Sequence, residues 1–308
     1  MNWTQRQLKM FVTTAALGHV TRASEALHIS QPALTRALKE FEAQLGTVLF
    51  ERTTRRLALT HEGRQLLPLA QRLLRDMDTA LDTLRGPSGQ VHGSVTLAVG
   101  TAFGCTVLPR AVERLMRTHP GLRLRVLDDN SAGITARVQR SEADLGIGTP
   151  VGDTSALTCE RLLSAPIGLL GQAGRFGLRR SASHADLARL PLLKEPADTS
   201  IVHTLSLHGS DLVALMAGGV EVSNLALQLS MAQAGVGVAV LSALGASHPQ
   251  ASGLTFVPLR PRVAREVFLM HRRDQPPSPA ARALAQALRE CLRTVSGLHP
   301  GVSIHTAG

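Results

Sequence analysis

Residues 20–44, VTRASEALHISQPALTRALKEFEAQ, constrain the fold more tightly than any other stretch of the chain. Val20, Ala23, Ala26 and Leu27 form one apolar stripe, and Leu34, Leu38, Phe41 and Leu45 form a second, both at helical intervals. Two helices patterned this way can bury their stripes in one shared core. Between them His28 and Ile29 interrupt the first pattern, Ser30 supplies an N-cap, and Pro32 suits a first helical turn, where its missing N–H is not needed. The spacing predicts a second helix from about Gln31. Its first turn presents Ser30, Gln31, Thr35 and Arg36, short or planar hydrogen-bonding groups that match phosphate oxygens and base edges. This is the pattern of a DNA-reading helix-turn-helix. An ordinary amphipathic hairpin is the competing reading of these residues taken alone.

The segment after Gly46, TVLFERTTRRLALTHEG, sharpens the choice. Val48, Leu49 and Phe50 are apolar, a polar run follows, and Leu57, Leu59 and Thr60 resume an alternation that predicts a small two-stranded wing. Arg52, Arg55 and Arg56 would then stand beside the reading helix and grip phosphates, making affinity fall with salt, although taken alone this segment reads more readily as a solvated charged turn. From Glu62 to Arg85 the chain reads as one long helix. Leu66, Ala70, Leu73, Met77, Ala80 and Leu84 are separated alternately by four and three residues, a coiled-coil seam. Such a seam wants a second helix, so the expectation is a homodimer through this element, against the alternative that the stripe packs on its own small domain. Pro68 marks a place where the first turns could kink.

Gly86, Pro87, Ser88 and Gly89 end that helix, and a different pattern begins. Residues 93–100 read as a buried strand, 101–121 as a turn and helix, 122–129 as an alternating strand, and 131–148 as a helix followed by a strand. The β-α-β-α-β order predicts a parallel sheet, whose ligands gather where strands end and helices begin. Gly100, Thr101 and Ala102 stand at one such place, and Asn130, Ser131 and Ala132 at another; each pairs a hydroxyl with a helix N-terminus, an arrangement suited to a carboxylate. Plain helix capping explains the same residues equally well. The second half again alternates strands with helices. Lys194–Ser200 and Val222–Leu225 are its facing loops, in which Thr199 and Ser200 precede one helix and Ser223 and Asn224 cap another.

Composition excludes several classes. The 308 residues suffice for a small domain and a larger one, and the net charge of +10 favours a polyanionic partner. Residues 1–90 hold twelve Lys or Arg against eight Asp or Glu, so only +4 of that charge belongs to the front end. The opening MNWTQRQLKMF has no apolar signal core, and no apolar run approaches the roughly 20 residues of a membrane span, so the expectation is a cytoplasmic protein without a membrane partner. Cys105, Cys159 and Cys291 are far apart and form no CxxC, which argues against disulfides and zinc. Cys105 alone is placed by the sequence near a helix N-terminus, where a thiolate would be favoured. The histidines show no ligand pair, no GxSxG elbow or phosphate loop occurs, and Gly235 and Gly237 lack the third glycine and preceding strand of a nucleotide loop. No enzyme and no cofactor are expected. With one Trp, seven Phe and no Tyr, the aromatic candidates for a pocket reduce to residues such as Phe103.

The run from Leu8 and Phe11 through Arg22, Ala23, Ala26, Leu27, Ser30 to Leu34, Leu38, Phe41, Glu42, Leu45, Gly46, Leu49 to Arg52, Leu59, Thr60 and Gly63 resembles the LysR-type transcriptional regulators. The likeness extends more weakly over nearly the whole chain. It implies an α/β protein with an N-terminal winged helix-turn-helix at 1–60, a linker and dimerisation helix at 61–85 and a hinge at 86–92. A two-subdomain effector domain like a periplasmic binding protein follows, with subdomain I at 93–163 and 268–300 and subdomain II at 164–267. It further implies double-stranded promoter DNA as partner, read by Arg22, Ser30, Gln31, Pro32, Thr35, Arg36, Arg52, Thr53, Arg55 and Arg56. A small-molecule effector would occupy an inter-subdomain cleft lined by Gly100, Thr101, Ala102, Phe103, Asn130, Ser131, Thr199, Ser200, Ser223 and Asn224. Dimers pairing into tetramers, and RNA polymerase as a further partner, belong to the same implication. Ser242, where the family often has proline, and residues 175–184 depart from the pattern. The rival readings are a solute-binding or enzymatic α/β protein with a helical interaction module, and a DNA-binding protein whose cleft is vestigial.

Overall fold

The structure is a computed structural model that describes residues 3–52, 57–85, 90–208, 210–216 and 218–305. By its internal contacts the chain divides into two compact units, residues 1–94 with 140–142, and residues 95–139 with 143–308.

The first unit opens with α1 (Gln5–Leu17), α2 (Val20–Ala26) and α3 (Gln31–Leu45). Thr4 starts α1 with a reciprocal capping box to Gln7, and Ser30 starts α3 by accepting from the Ala33 N–H at 3.4 Å. The turn between α2 and α3 is made by His28 in the left-handed region, φ 54°, while the His28 and Ile29 N–H groups donate back to the carbonyls of Glu25 and Ser24. Both apolar stripes reach one core. Leu8, Phe11, Ala23, Leu34, Leu38 and Phe41 are buried together, and the Phe11 ring meets Phe41 at 6.0 Å and Phe50 at 5.5 Å between centroids.

Strands β1 (Phe50–Arg52) and β2 (Leu57–Leu59) pair antiparallel, Phe50 opposite Leu59. The carboxylate of Glu42 on α3 accepts from the N–H groups of Leu49 (2.8 Å) and Phe50 (3.2 Å), fixing the wing to the reading helix. Helix α4 (His61–Arg85) follows, running through Pro68 without a break. At its start Gly63 is obligatory for a packing reason: a Cβ there would overlap the Leu49 carbonyl oxygen and press the Leu59 side chain.

The seam expected on α4 divides in two. Leu66 and Ala70 join Leu67 and Leu74 in the head's own core, whereas Leu73 and Met77 stay exposed beside Leu69 and Leu81. The helix turns 3.6 residues at a time, so a stripe that starts in one core rotates out of it within a few turns. Of the six positions read from the sequence, Leu66 and Ala70 are thus claimed by the head, Leu73, Met77 and Ala80 are exposed with Leu69 and Leu81 beside them, and the Leu84 side chain lies outside the described residues.

The second unit is built on β3 (Gly93–Val99), α5 (Thr101–Thr106), α6 (Leu108–Thr118), β4 (Leu122–Asp128), α7 (Ser131–Gln139), β5 (Leu145–Gly148) and the long β6 (Leu157–Gly171). There follow α8 (Ala173–Phe176), α9 (His184–Arg189), β7 (Leu192–Lys194), α10 (Ser200–Leu207), α11 (Ser210–Leu215), β8 (Val220–Glu221), α12 (Leu225–Gln233), β9 (Val238–Ser242) and α13 (Ala243–Ala246). The chain closes with β10 (Thr255–Pro258), β11 (Ala264–Arg272), α14 (Pro279–Thr294) and β12 (Ser303–Ile304). The sheet order is β4-β3-β5-β11-β6-β9-β7-β8, with β10 and β12 paired to β6.

β3 pairs with β5, and β7 with both β8 and β9, in parallel, as the βα alternation requires. β6 and β11 are the antiparallel exceptions, and they join the two halves. Residues 157–166 of β6 pair with β11, and Ile167–Leu170 pair with β9, so a single strand passes from one subdomain to the other. Between β7 and β8 the chain forms two helices, α10 and α11. Helix α14 returns to the first half, where Arg289 grips Glu160 on β6 through Nε at 2.9 Å and Nη2 at 2.6 Å. Among the described residues no helix is long and apolar enough to cross a membrane.

Candidate functional site

In the head, burial of Leu34, Leu38 and Phe41 turns the opposite side of α3 outward. Ser30, Gln31, Pro32 and Arg36 are exposed there, and Thr35 is half-buried. Arg22 is exposed on α2, and the Thr21 hydroxyl on the same helix donates to Gln31 Oε1 at 3.4 Å. Sequence reasoning did not single out Thr21; its position one helix before Gln31 was the signal. Arg52 ends β1, and Thr53, Arg55 and Arg56 lie outside the described residues.

The second unit holds a cavity of about 300 Å³, at the low end of the range for small-molecule sites. Its lining comes from the starts of five helices: Gly100, Thr101 and Ala102 at α5, Asn130 and Ser131 at α7, Thr199 and Ser200 at α10, Ser223 and Asn224 at α12, and Ser242 and Gly245 at α13. Nine of the ten residues expected around an effector meet here. The tenth, Phe103, does not: it faces inward from α5, is 1 % exposed and belongs to the core. A six-residue helix has one buried face, and Phe103 occupies it.

The helix starts are not equivalent. The Asn130 side chain accepts from Gly133 N at 2.8 Å and caps α7, and Asn224 accepts from Leu227 N at 3.1 Å and caps α12. Thr199, the N-cap of α10, makes no side-chain cap, its hydroxyl donating instead to the Pro196 carbonyl at 2.9 Å, and α5 and α13 likewise start without a side-chain cap. Thr101, expected to offer its hydroxyl to a ligand, donates it to the Asp128 carboxylate at 2.9 Å.

Sequence reasoning missed the charged groups of the cavity. Arg265 from β11 is buried in its wall, donates from Nε to the Thr149 hydroxyl at 3.1 Å, and has Nη2 next to Gly100. Glu195, just after β7, also lines it. Burial pushes the Glu195 carboxyl above the ordinary range, against the opposing pull of Arg265, and burial pulls Arg265 down against the support of Glu195. Asp128 and Asp129 complete the set, Asp129 paired with Arg137 at 2.7 Å. Across the mouth, Asn130 Nδ2 donates to Asp198 Oδ2 at 2.9 Å, so the loop after β4 is latched to the loop after β7. No motif signals these groups, because they come together only when separate βα turns meet.

At Cys105 the expected thiolate is reversed. The residue falls in the last turn of α5 rather than its first, and burial and then the neighbouring Asp128 push the thiol above its ordinary range. Among the described residues no group of three or more His, Cys, Asp or Glu is placed to hold a metal ion.

Two family models match the chain: the bacterial regulatory helix-turn-helix protein of the lysR family over residues 5–64, and the LysR substrate binding domain over residues 88–293. The chain is 28 % identical over 298 residues to an uncharacterized HTH-type transcriptional regulator, YfeR of Shigella flexneri, covering 94 % of each. It is 33 % identical over 206 residues to an SDS degradation transcriptional activation protein of a Pseudomonas species, covering 65 % of this chain and 67 % of that one. Among solved structures, a full-length OxyR variant from Pseudomonas aeruginosa superposes with a TM-score of 0.72 at 22 % identity, covering 100 % of this chain and 99 % of that one. CbnR, solved in complex with its target DNA, gives 0.64 at 21 % identity, covering 94 % of this chain and 100 % of that one. These proteins are regulators rather than enzymes. The chain therefore belongs to the LysR family of bacterial DNA-binding transcription regulators, with a helix-turn-helix head followed by an α/β substrate-binding domain.

Proposed function

We propose that this regulator grips promoter DNA through the exposed side of α3 and the wing, and that a small carboxylate in the cavity alters that grip. One observation carries the carboxylate reading: the N-terminus of α10, lacking a side-chain cap, opens into a cavity whose wall holds the buried guanidinium of Arg265. Helix N–H groups and a desolvated arginine both favour a carboxylate over a neutral group. The seat thus lies nearer Thr199, Ser200 and Arg265 than the sequence alone placed it. Gly100, Thr101, Ala102, Asn130, Ser131, Ser223 and Asn224 shape the remainder.

The mechanism is linkage. A ligand that favours one arrangement of the two subdomains shifts the DNA-binding equilibrium only by its differential affinity for the two states. The Asn130–Asp198 latch is the contact through which closure would be felt. The exposed series Leu69, Leu73, Met77 and Leu81 supports pairing of two copies through α4, with dimers associating further into tetramers. RNA polymerase is proposed as a further partner of the DNA-bound assembly. Two heads would favour an imperfect inverted repeat with half-sites one helical turn or a multiple apart. On the head, Arg22, Ser30, Gln31, Pro32, Thr35 and Arg36 are assigned to base and phosphate contact, and Arg52, Thr53, Arg55 and Arg56 to the backbone beside it. Footprinting of the adjoining promoter with and without a panel of small carboxylates tests the reading. Protection that changes with at least one of them is expected, and a promoter left unprotected under all conditions overturns it.

A further inference from the structure

The cavity's charge points beyond a carboxylate. Its lining includes three acidic side chains, Asp128, Asp129 and Glu195, against the single arginine, Arg265. Asp129 is neutralised by Arg137 at 2.7 Å, and Glu195 is opposed by Arg265. Asp128 has no cationic partner among the described residues. It is exposed, and the Thr101 hydroxyl occupies one of the roughly four lone-pair positions a carboxylate offers. Next to Asn130, whose side-chain amide donates to its carboxylate, Asp198 adds a further negative charge.

A plain anion entering this cavity meets favourable helix starts and Arg265 at one place and an uncompensated carboxylate at another. A dicarboxylate is worse placed still. A ligand that carries both signs satisfies both ends: its carboxylate at the α10 N-terminus and Arg265, and its positive group at Asp128. We infer that the effector is an aminocarboxylate, a molecule bearing one carboxylate and one ammonium group, with Asp128 as the ammonium acceptor. This inference rests on the carboxylate reading above and extends it to a second functional group. The role of Asp128 as a local complement to the start of α5 does not conflict with it, because one hydroxyl leaves the rest of the carboxylate open to the cavity.

The test uses the full chain and matched trios of probes. Each of the common L-α-amino acids, together with 4-aminobutyrate and 5-aminovalerate, is compared by calorimetry and thermal shift with its deaminated acid and its decarboxylated amine. At least one aminocarboxylate is expected to bind saturably, with a loss of tenfold or more when either group is removed. Asp128→Asn is expected to weaken that aminocarboxylate at least tenfold while leaving its deaminated acid bound as tightly as before or more tightly. The melting temperature of the unliganded variant provides the folding control, and Asp128→Glu, which keeps the charge, should bind more tightly than Asp128→Asn. Deaminated acids or dicarboxylates binding as tightly as every aminocarboxylate, or no aminocarboxylate binding at all, would overturn the inference. Amines binding as tightly as aminocarboxylates would instead sink the carboxylate seat and leave the role of Asp128 standing, so the two failures are distinguishable.

Discussion

The head and the cavity pose the same recognition problem and solve it with opposite use of sequence distance. In the head, Ser30, Gln31, Thr35 and Arg36 share one face of one helix because that helix buries Leu34, Leu38 and Phe41 on the other. In the α/β unit, Gly100, Asn130, Thr199, Asn224 and Arg265 meet only because four strand-to-helix turns and a crossover strand converge. Local periodicity fixes the first site, and topology fixes the second. A perturbation confined to one helix should therefore act locally in the head, whereas removal of one cavity group should be felt by partners far away in sequence.

The largest test of that contrast is Arg265→Ala. It withdraws the buried cation whose pull opposes the rise of the half-buried Glu195 carboxyl, and it removes the bond to Thr149, which is made across 116 positions of sequence. Loss of a buried hydrogen bond made by a charged group costs about 1.5–3 kcal/mol. Urea unfolding of the α/β unit should show the loss, and the double variant with Glu195→Gln should recover part of it, because the stranded charge is gone. A single-variant cost below about 1 kcal/mol would mean that the two groups are not coupled as their positions imply.

This difference also explains what the sequence could tell. Helix starts are local events, and the positions of Thr101, Ser131, Ser200 and Asn224 were legible from capping residues and strand endings. Their meeting in one cavity was anticipated from the βα order and the family likeness together. Arg265 and Glu195 were not legible, since each stands in or beside an ordinary strand pattern and only the burial of Arg265 and their place in the cavity wall make them unusual. Phe103 was misplaced for the converse reason: proximity to a cleft loop says nothing about which face of a short helix is turned inward. On α4, periodicity alone could not say how much of the stripe the head would claim, as it does Leu66 and Ala70.

Gly63→Ala tests the local side. The added Cβ would overlap the Leu49 carbonyl oxygen, and backbone cannot move aside as a flexible side chain does. Overpacking of this kind costs about 1–3 kcal/mol. Hydrogen exchange should quicken in α1, α3 and the wing and stay unchanged in the amides of β3, β5 and β9. Faster exchange in both regions would break the separation of the two units.

Arg36→Ala alters function rather than folding, because the side chain is exposed and the core face of α3 is untouched. Loss of about 1–3 kcal/mol of affinity for the specific promoter site, with little change in binding to unrelated duplex, is expected if this guanidinium reads a base edge. Equal loss on both duplexes would reassign it to a phosphate.

The smallest effects separate the regions by pH. Ser30→Ala removes a cap made at 3.4 Å, so the loss should be about 0.5 kcal/mol, the low end for such changes, and nearly independent of pH because a hydroxyl does not titrate in the acid range. Glu160 and Arg289 join β6 to α14 across 129 positions. The hydrogen bonds from Arg289 hold the Glu160 carboxyl below its ordinary range, with burial opposing. Since the folded value is the lower one, the stabilisation is present above the unfolded value near 4.5 and is lost as pH falls through the folded value. Glu160→Gln should therefore cost on the order of 1 kcal/mol at neutral pH, after allowance for partial exposure, and progressively less as the solution is acidified below that range. Denaturation midpoints measured from neutral to acid pH should show the Glu160→Gln difference shrinking while the Ser30→Ala difference holds constant. Two parallel offsets would show that the long-range pair stabilises by packing of its side chains, as local elements do, and not by its charge.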